Sequence, residues 1–371
     1  VILIAGLAGC GGSSGNNDVA QTPVLDALSV SGGQTPLYPP FDPTDGRYAI
    51  VAQETPASAE QMTARAATEP LVLNASAADG LLISVLGELI SSDTDVPLDG
   101  VEPGEVIDIL VENKQGASSR YEIQFLPADF PVLTTTVLEE GASPGLVYFS
   151  FSGPGKQYVA IVDNHGVPVF YRGEEQRVTD FKLHPNGQRS YAVRTGENNQ
   201  CDRAQTEQVI LGPDFEEIRR VTTVDLTHTD PHDFLILDDE SYIAMAYDCN
   251  VRDATAYGGE PEQVVEDSVI QEVNPSGQVV FEWNSWEKMG IDDQIRPHPT
   301  DYAHINSIWE DFDRNLIVSA RSSSQVAKID RVSGEVLWRL GGKSNQFTFV
   351  DDPFSHLCGQ HTASRLDSGN I

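Results

Sequence analysis

The feature that most constrains the fold of this chain is an internal repeat of paired short strands. The copies begin at Phe181, Phe234, His304 and His361. In the first three copies the hairpin continues into a second one, joined through a turn rich in Asp, Asn and Gly. Four short strands per repeat are the plan of a β-propeller blade. The repeat therefore predicts an incomplete β-propeller over residues 131–371, and stacked hairpins in a β-sandwich are the competing arrangement.

The region before the repeat has a different pattern. Apolar residues alternate with period two between Pro, Gly and Asp turns, which predicts a separate β-domain over residues 24–130. The expected strands include residues 28–30, 48–51, 71–73, 106–111 and 121–125. The segments Leu28-Ser29-Val30-Ser31-Gly32-Gly33 and Phe41-Asp42-Pro43 resemble the opening of cadherin-like β-sandwich domains of bacterial surface proteins. The fold class we expect is all-β, an N-terminal β-sandwich followed by the incomplete propeller.

The charge of the chain excludes one class of partner. It has 56 Asp and Glu residues against 23 Lys and Arg, a formal net charge of −33. Such a surface repels phosphate backbones, so we expect no nucleic-acid partner. Hydrophobic residues make up 40% of the chain, which supplies a core and excludes global disorder.

The two ends of the sequence suggest a processed and incomplete chain. The apolar start and Leu7-Ala8-Gly9-Cys10 look like the end of a bacterial lipoprotein signal, in which Cys10 becomes the lipidated residue. Residues 1–23 would then be a signal remnant and a flexible tether, although a truncated transmembrane helix is an alternative. We expect an exported lipoprotein, periplasmic or at the cell surface, held at the membrane through Cys10 only. The last repeat stops after its first strand, which indicates a C-terminally truncated fragment.

Three histidines occupy the same position of consecutive repeats. His232, His304 and His361 each begin the innermost strand of a copy, and Thr179 is the equivalent residue of the copy before. Inner strands line the central channel of a propeller, so we expect the three imidazoles to meet there. Asn306 should share the strand face of His304, since it lies two residues later. Antiparallel pairing should bring Arg321 level with His304.

Two chemistries use three imidazoles. One is a zinc site with an open position, and the other is an anion site in which one histidine is the nucleophile. A guanidinium such as that of Arg321 suits an oxyanion and repels a dication. We expect no carboxylate beside the histidines within the repeat except Asp233, whose side chain should point to the opposite strand face. The sequence therefore favours the anion site, with no metal and no cofactor.

The remaining histidines carry less information. His165 and His184 lie in turns and His298 lies between two prolines, so we expect all three to be solvated. His228 and His356 lie in loops near the expected pocket, and the sequence does not assign them a role.

The motifs of the repeat region resemble a known family, the bacterial arylsulfotransferases. They are Pro231-His232-Asp233, His304-x-Asn306, Ser319-Ala320-Arg321, Leu337-Trp338-Arg339-Leu340-Gly341-Gly342 and Gln360-His361-Thr362-Ala363. The resemblance implies a six-bladed propeller that moves a sulfuryl group from a phenolic sulfate to a phenol through a sulfohistidine, with ping-pong turnover. It implies that His361 is the nucleophile, that His304, His232 and Arg321 are catalytic partners, and that Asn306 and Arg321 bind substrate.

The repeat and its three histidines are also compatible with two other functions. A tethered, non-catalytic binding or scaffold propeller with a vestigial pocket would have the same repeat. A zinc hydrolase would use the same three histidines.

The cysteines suggest one covalent link. Cys201 and Cys249 follow the second strands of adjacent repeats, because Arg194 and Tyr247 are equivalent positions in those strands. In an exported protein we therefore expect a Cys201–Cys249 disulfide. Cys358 would be left with a partner outside this sequence or as a thiol.

Overall fold

The protein is all-β, as the repeat and the alternation predict. The computed structural model describes residues 22–53, 70–135, 143–153, 155–198, 201, 203–257, 259–286, 288–295, 300–354 and 357–371. Within these ranges the helices are the short 3-10 turns Thr255–Tyr257 and Ile291–Asp293. None of the described helices has the length and apolar character needed to cross a membrane. The chain divides into two compact units, residues 1–142 with 164–168 and residues 143–163 with 169–371.

The first unit contains two sheets. Its described strands are β1 (Leu25–Ser31), β2 (Arg47–Val51), β3 (Val72–Ala77), β4 (Leu82–Val85), β5 (Glu88–Ile90), β6 (Thr94–Pro97), β7 (Val106–Glu112) and β8 (Ser118–Leu126). One sheet has the order β1-β3-β6 and the other the order β2-β8-β7-β4-β5. Pairing is antiparallel except between β2 and β8, which run parallel.

The alternation seen in the sequence produces the core of this unit. In β7 the buried residues are Ile107, Ile109 and Val111, with partly or fully exposed residues between them. They pack with buried residues of both sheets, including Leu73 and Ile123, in one apolar cluster. Each such side chain contributes about 1.5–3 kcal/mol by leaving water.

The second unit contains consecutive antiparallel sheets. Its described strands are β9 (Val147–Phe151), β10 (Gln157–Val162), β11 (Pro168–Glu174), β12 (Val178–Leu183), β13 (Arg189–Asn198), β14 (Ala204–Leu211), β15 (Glu217–Val221), β16 (Thr229–Ile236), β17 (Tyr242–Arg252), β18 (Gln263–Val273), β19 (Val279–Asn284), β20 (Ile305–Glu310), β21 (Leu316–Ala320), β22 (Gln325–Ile329) and β23 (Val336–Gly341). The sheets β12-β13-β14-β15, β16-β17-β18-β19 and β20-β21-β22-β23 are meanders of four strands, and β9–β11 form a three-stranded sheet. This is the propeller-like arrangement that the repeat predicts.

Apolar clusters join each sheet of the second unit to the next. Val159 and Tyr191 belong to a cluster between the β9–β11 sheet and the next blade. Ile210 packs with Phe234 between the following pair of blades, and Met245 packs with Val318 between the last pair. The sheets are therefore held face to face.

The first strands of the blades are irregular where they carry the predicted site residues. Pairing shifts register between Thr229 and Phe234 in β16, and between Ile305 and Ser307 in β20. The backbone of His304, just before β20, has a φ of 51°, a left-handed value that is uncommon outside glycine. Bulges of this kind re-aim side chains and are frequent beside functional sites.

Candidate functional site

The bulge of β16 places a carboxylate behind the first histidine. Asp230 is 1% exposed, and its Oδ1 accepts hydrogen bonds from the backbone N of His232 at 2.7 Å and from its Nδ1 at 2.9 Å. Burial lowers the pKa of His232, but the carboxylate of Asp230 outweighs that effect and the net pKa is raised. The bond at Nδ1 leaves Nε2 of His232 available to a ligand.

The second histidine has the same kind of partner. The Nδ1 of His304 makes a short hydrogen bond to the carboxylate of Asp301, which is itself buried. The Oδ2 of Asp301 also accepts a bond from Arg203 at 2.7 Å, and Arg203 makes a second ion pair with buried Glu266 at 2.7 Å. The orientation of His304 is therefore fixed by a charged network.

A disulfide joins the blades beside this network. Cys201 and Cys249, for which the repeat predicts a disulfide, are bonded to each other, with their Cα atoms 6.2 Å apart. Arg203 lies two residues after Cys201, and its guanidinium stacks 4.4 Å from the ring centre of Tyr247. The ring of Tyr247 is 5.9 Å from that of His304 and 6.4 Å from that of His232.

His361, the third histidine, lies on a segment that is attached to the last blade by hydrogen bonds from side chains. Residues 357–366 form no strand, in contrast to the predicted inner strand beginning at His361. Polar side chains of β20 and β21 replace the ladder of backbone bonds. Asn306 donates its Nδ2 to the carbonyl of Gln360 at 2.9 Å, Ser307 accepts from the backbone N of Ala363 at 3.2 Å, and Gln360 donates to Ser319 at 3.1 Å.

Asn306 therefore has a structural contact that the sequence did not predict. It is the extra residue of the β20 bulge, so the simple alternation expected from His304 does not apply to it. Its amide nitrogen holds the segment of His361, while its buried Oδ1 has no hydrogen-bond partner among the described residues.

The three histidines meet as the repeat predicts. One ring nitrogen from each of His232, His304 and His361 lies within 4.8 Å of the other two. The ring centre of His232 is 5.2 Å from that of His304 and 6.2 Å from that of His361. His232 and His304 line a cavity of about 580 Å³. His232 also borders a second cavity of about 640 Å³, together with Asn306.

Arg321 supplies the cation of the cluster. Its backbone N donates to the carbonyl of His304 at 2.9 Å, so the two residues are level as expected. Its guanidinium makes no ion pair or hydrogen bond with a carboxylate of the described residues. Burial, followed by the positive charges of His232, Arg321 and His304, lowers the pKa of His361. The cluster therefore contains one imidazole that favours the neutral form and one that favours the protonated form.

A metal ion fits this donor set less well than an anion. Carboxylates also stand behind metal-bound imidazoles, so the pairs at His232 and His304 do not decide the question. After burial and the charge of His232, the guanidinium of Arg321 contributes to the lowered pKa of His361. At that ring the guanidinium opposes a dication and would attract an oxyanion.

One expectation about polar neighbours is wrong. Carboxylates do accompany the histidines, since Asp230 and Asp301 bind His232 and His304. The short spacings Asp-x-His and Asp-x-x-His were the available signal. Asp233 instead accepts a bond from the backbone N of Ile308 at 2.7 Å and pairs with Lys182.

The other histidines also differ from expectation. His184 is 4% exposed rather than solvated, because it accepts a bond from the backbone N of Ile236 and lies 2.7 Å from the hydroxyl of Ser190. Burial lowers its pKa to about 3. His165 is half-buried, and its Nδ1 is 3.3 Å from Asp45. Buried His228 lines the first cavity and stacks on Tyr247. Cys10, His298 and His356 lie outside the described residues.

Comparisons with known proteins give a family for the region of the site. Residues 208–370 match the family model described as Arylsulfotransferase (ASST). No curated protein matches the chain. One similar solved structure is a protein of unknown function from Bacteroides caccae, 14% identical, with a TM-score of 0.35, covering 61% of this chain and 64% of that one. Another is a catalytically inactive virginiamycin B lyase from Staphylococcus aureus with quinupristin, 11% identical, with a TM-score of 0.27, covering 71% of this chain and 75% of that one.

The chain spans less than two thirds of the first of these structures. The family match rests on sequence and includes all three histidines of the cluster. The arylsulfotransferase (ASST) family model therefore matches residues 208–370, the part of this chain that contains the candidate site.

Proposed function

We propose that this chain transfers a sulfuryl group from a phenolic sulfate ester to a phenol. The observation that carries the proposal is the convergence of three imidazole nitrogens within 4.8 Å. Two of them are backed by carboxylates, and the third has no carboxylate partner among the described residues. The match of residues 208–370 to the ASST family model supports aryl sulfotransferase activity in general. The cluster supplies the parts that a covalent route needs, a nucleophile, an acid and a fixed cation.

In the first half-reaction, neutral His361 attacks the sulfur of the donor. The nitrogen–sulfur bond forms as the bond between sulfur and the aryl oxygen breaks, and the electron pair of that bond goes to the oxygen. His232, whose raised pKa favours the imidazolium, donates a proton to the leaving phenolate. His304 is the alternative candidate for the proton donor. Arg321 stabilises the negative charge on the sulfuryl oxygens.

The second half-reaction reverses these steps with another phenol. Neutral His232 accepts the proton of the incoming hydroxyl, the oxygen attacks sulfur, and the nitrogen–sulfur bond breaks. His361 leaves as a neutral imidazole, which its lowered pKa favours. The result is ping-pong turnover through a sulfohistidine.

Intact-protein mass spectrometry after incubation with 4-nitrophenyl sulfate tests this route. We expect an adduct of one SO₃ unit that maps to His361, is lost in His361→Ala, and disappears when a phenol is added. His165→Ala is the matched control, because it removes a half-buried histidine of the first unit. An adduct on another residue, or full transfer activity in His361→Ala, contradicts the mechanism.

The alternatives give different results in the same assays. A zinc hydrolase binds metal stoichiometrically and loses activity in chelator. A binding propeller retains ligands without turning over any phenolic sulfate, and its affinity is unchanged by His361→Ala.

We also propose export as a lipoprotein anchored through Cys10. The Cys201–Cys249 disulfide supports an oxidising compartment. Labelling of the cells with a tagged fatty acid should mark the full-length protein and not its Cys10→Ser variant. Equal labelling of both would contradict the anchor.

A further inference from the structure

We propose that the cavity beside the histidine cluster selects aromatic substrates that carry a second anionic group, such as a ring carboxylate. This inference rests on the proposed sulfuryl transfer and names its substrate class. The cavity of about 580 Å³ is lined by His232 and His304 and also by Arg177 and Arg194. A cavity of this size accommodates more than a phenol ring.

The fold places these arginines one blade away from His232. Arg177 directly precedes β12, and its carbonyl accepts a bond from the backbone N of Arg194 in β13 at 2.9 Å. Thr179, two residues after Arg177, is the counterpart of His232 in this blade, and its hydroxyl donates to the carbonyl of Pro231 at 3.1 Å. Arg194 is the counterpart of Tyr247. The arginines are therefore held at the same end of the blades as the cluster.

Neither guanidinium has an acidic partner among the described residues. Arg194 donates to the carbonyl of Gly196 at 3.3 Å and to the amide oxygen of Asn198 at 2.9 Å, which are neutral groups. Arg177 is exposed and makes no side-chain hydrogen bond within the described ranges. Unpaired arginines are notable in a chain with 56 acidic residues and a net charge of −33.

The rest of the cavity does not neutralise them. Arg203 also lines it, but this arginine is paired with Glu266 and Asp301. The acidic residue of the lining is Asp180, whose carboxylate lies 2.7 Å from the ammonium group of Lys182. Burial raises the pKa of Asp180 to about 7, so part of its charge is lost at neutral pH. The cavity therefore presents a positive face suited to a carboxylate.

A pair of donors separates recognition of charge from chemical reactivity. We would compare kcat/KM for 4-(sulfooxy)benzoate and for its methyl ester. The ester withdraws electrons more strongly and makes the better leaving phenol, so a preference for the carboxylate cannot arise from reactivity. We expect the carboxylate to be favoured about tenfold, with the preference decreasing as salt is added.

Substitution of the two arginines tests whether they cause the preference for the carboxylate. Arg177→Gln and Arg194→Gln should each reduce the ratio of the two kcat/KM values severalfold, and the double variant should bring it near one. Arg314→Gln is the control, because it removes the same charge from a turn where the arginine is 64% exposed. A ratio near one in the unchanged chain, or a ratio that both variants retain, overturns the inference.

A binding measurement keeps the inference separate from the activity. Calorimetry with 4-hydroxybenzoate and methyl 4-hydroxybenzoate needs no turnover. If neither donor is turned over but the acid binds more tightly than the ester, and Arg177→Gln and Arg194→Gln remove the difference, the sulfuryl-transfer proposal fails and the anion site stands. Equal binding of acid and ester refutes the anion site.

Discussion

The two units of the molecule differ in what they bury. Among the described residues, every buried side chain of the polar and charged classes belongs to the second unit, from His184 to Lys328. The buried side chains of the first unit are aliphatic or aromatic. Burying polar groups lowers stability unless each finds a partner, so a fold has no need of them for its core. The buried polar residues are therefore in the same unit as the histidine cluster of the candidate site.

The network at His304 illustrates the contrast. Glu266, Asp301 and Arg203 form ion pairs there, and Asp301 also holds the imidazole. An apolar cluster of equal volume would serve stability as well or better. We infer that this network serves to orient His304.

Removal of the disulfide should give the largest effect, confined to the second unit. The Cys201–Cys249 bond closes a span of 48 residues, and its loss should destabilise the unit by about 4 kcal/mol through the entropy of the unfolded chain. Amide hydrogen exchange of Cys201→Ser/Cys249→Ser, read peptide by peptide, measures both units at once. Equal loss of protection in β7 and β8 would break the distinction between the units.

A cavity made in the core of the first unit should destabilise that unit and leave the second unchanged. Ile107 is fully buried in the apolar cluster of the first unit, and Ile107→Ala should cost about 3 kcal/mol there. Exchange in β16 to β18 and the sulfuryl-transfer rate should not change. The control Val332→Ala removes an aliphatic side chain that is 95% exposed and should change neither. A loss of transfer activity in Ile107→Ala would show that the units are coupled.

Much of the fold could be predicted because periodicity reports burial directly. The alternation of Ile107, Ile109 and Val111 marks β7, and the equivalent positions of Arg194 and Tyr247 place Cys201 beside Cys249. These features depend on which strands are neighbours, and the repeat is enough to predict the neighbouring strands.

The site was only partly predictable because it lies where the periodicity fails. The repeat brings His232 and His304 together, but Asp230 reaches His232 only through the bulge of β16. His184 is buried because the backbone of β16 in the next blade donates to it. No pattern of spacing reports such contacts, since they depend on local departures from regular pairing.

Asp311 tests whether charged groups support the segment of His361. Asp311 is buried and forms ion pairs with Lys328 at 2.6 Å and Arg365 at 2.7 Å. Asp311→Asn should destabilise residues 357–371 by about 2 kcal/mol, measured by hydrogen exchange. Hydrogen bonds from Arg365 and the neighbouring Lys328 lower the pKa of Asp311, so its contribution is present above the ordinary pKa of an aspartate and is lost as the pH falls below it.

The matched change in the first unit is Asp108→Asn. Its partner Arg120 is 61% exposed, and exposed pairs contribute little. We expect no measurable change in protection there. A loss equal to that of Asp311→Asn would contradict the view that charged contacts matter only in the second unit.

A smaller effect than that of Asp311→Asn is the shift of the pH profile that we predict in Asp230→Asn. The asparagine keeps an oxygen for the backbone N of His232 but removes the charge that raises the pKa of this histidine. Burial then dominates and lowers that pKa. Transfer needs His361 neutral and His232 protonated, so kcat/KM should rise through the lowered pKa of His361 and fall through the raised pKa of His232.

The variant should therefore lose activity first at high pH. The basic limb of its profile should move to lower pH, and kcat/KM at neutral pH should fall about tenfold. The acid limb should move the opposite way, to higher pH, because neutral His232 no longer lowers the pKa of His361. Asp239→Asn is the control, since Asp239 lies in the turn after the same strand and its carboxylate accepts from Ser241 rather than from a histidine. A merely structural role for Asp230 would scale the whole profile down without moving the basic limb, because the protonation of His232 would then play no part in the rate.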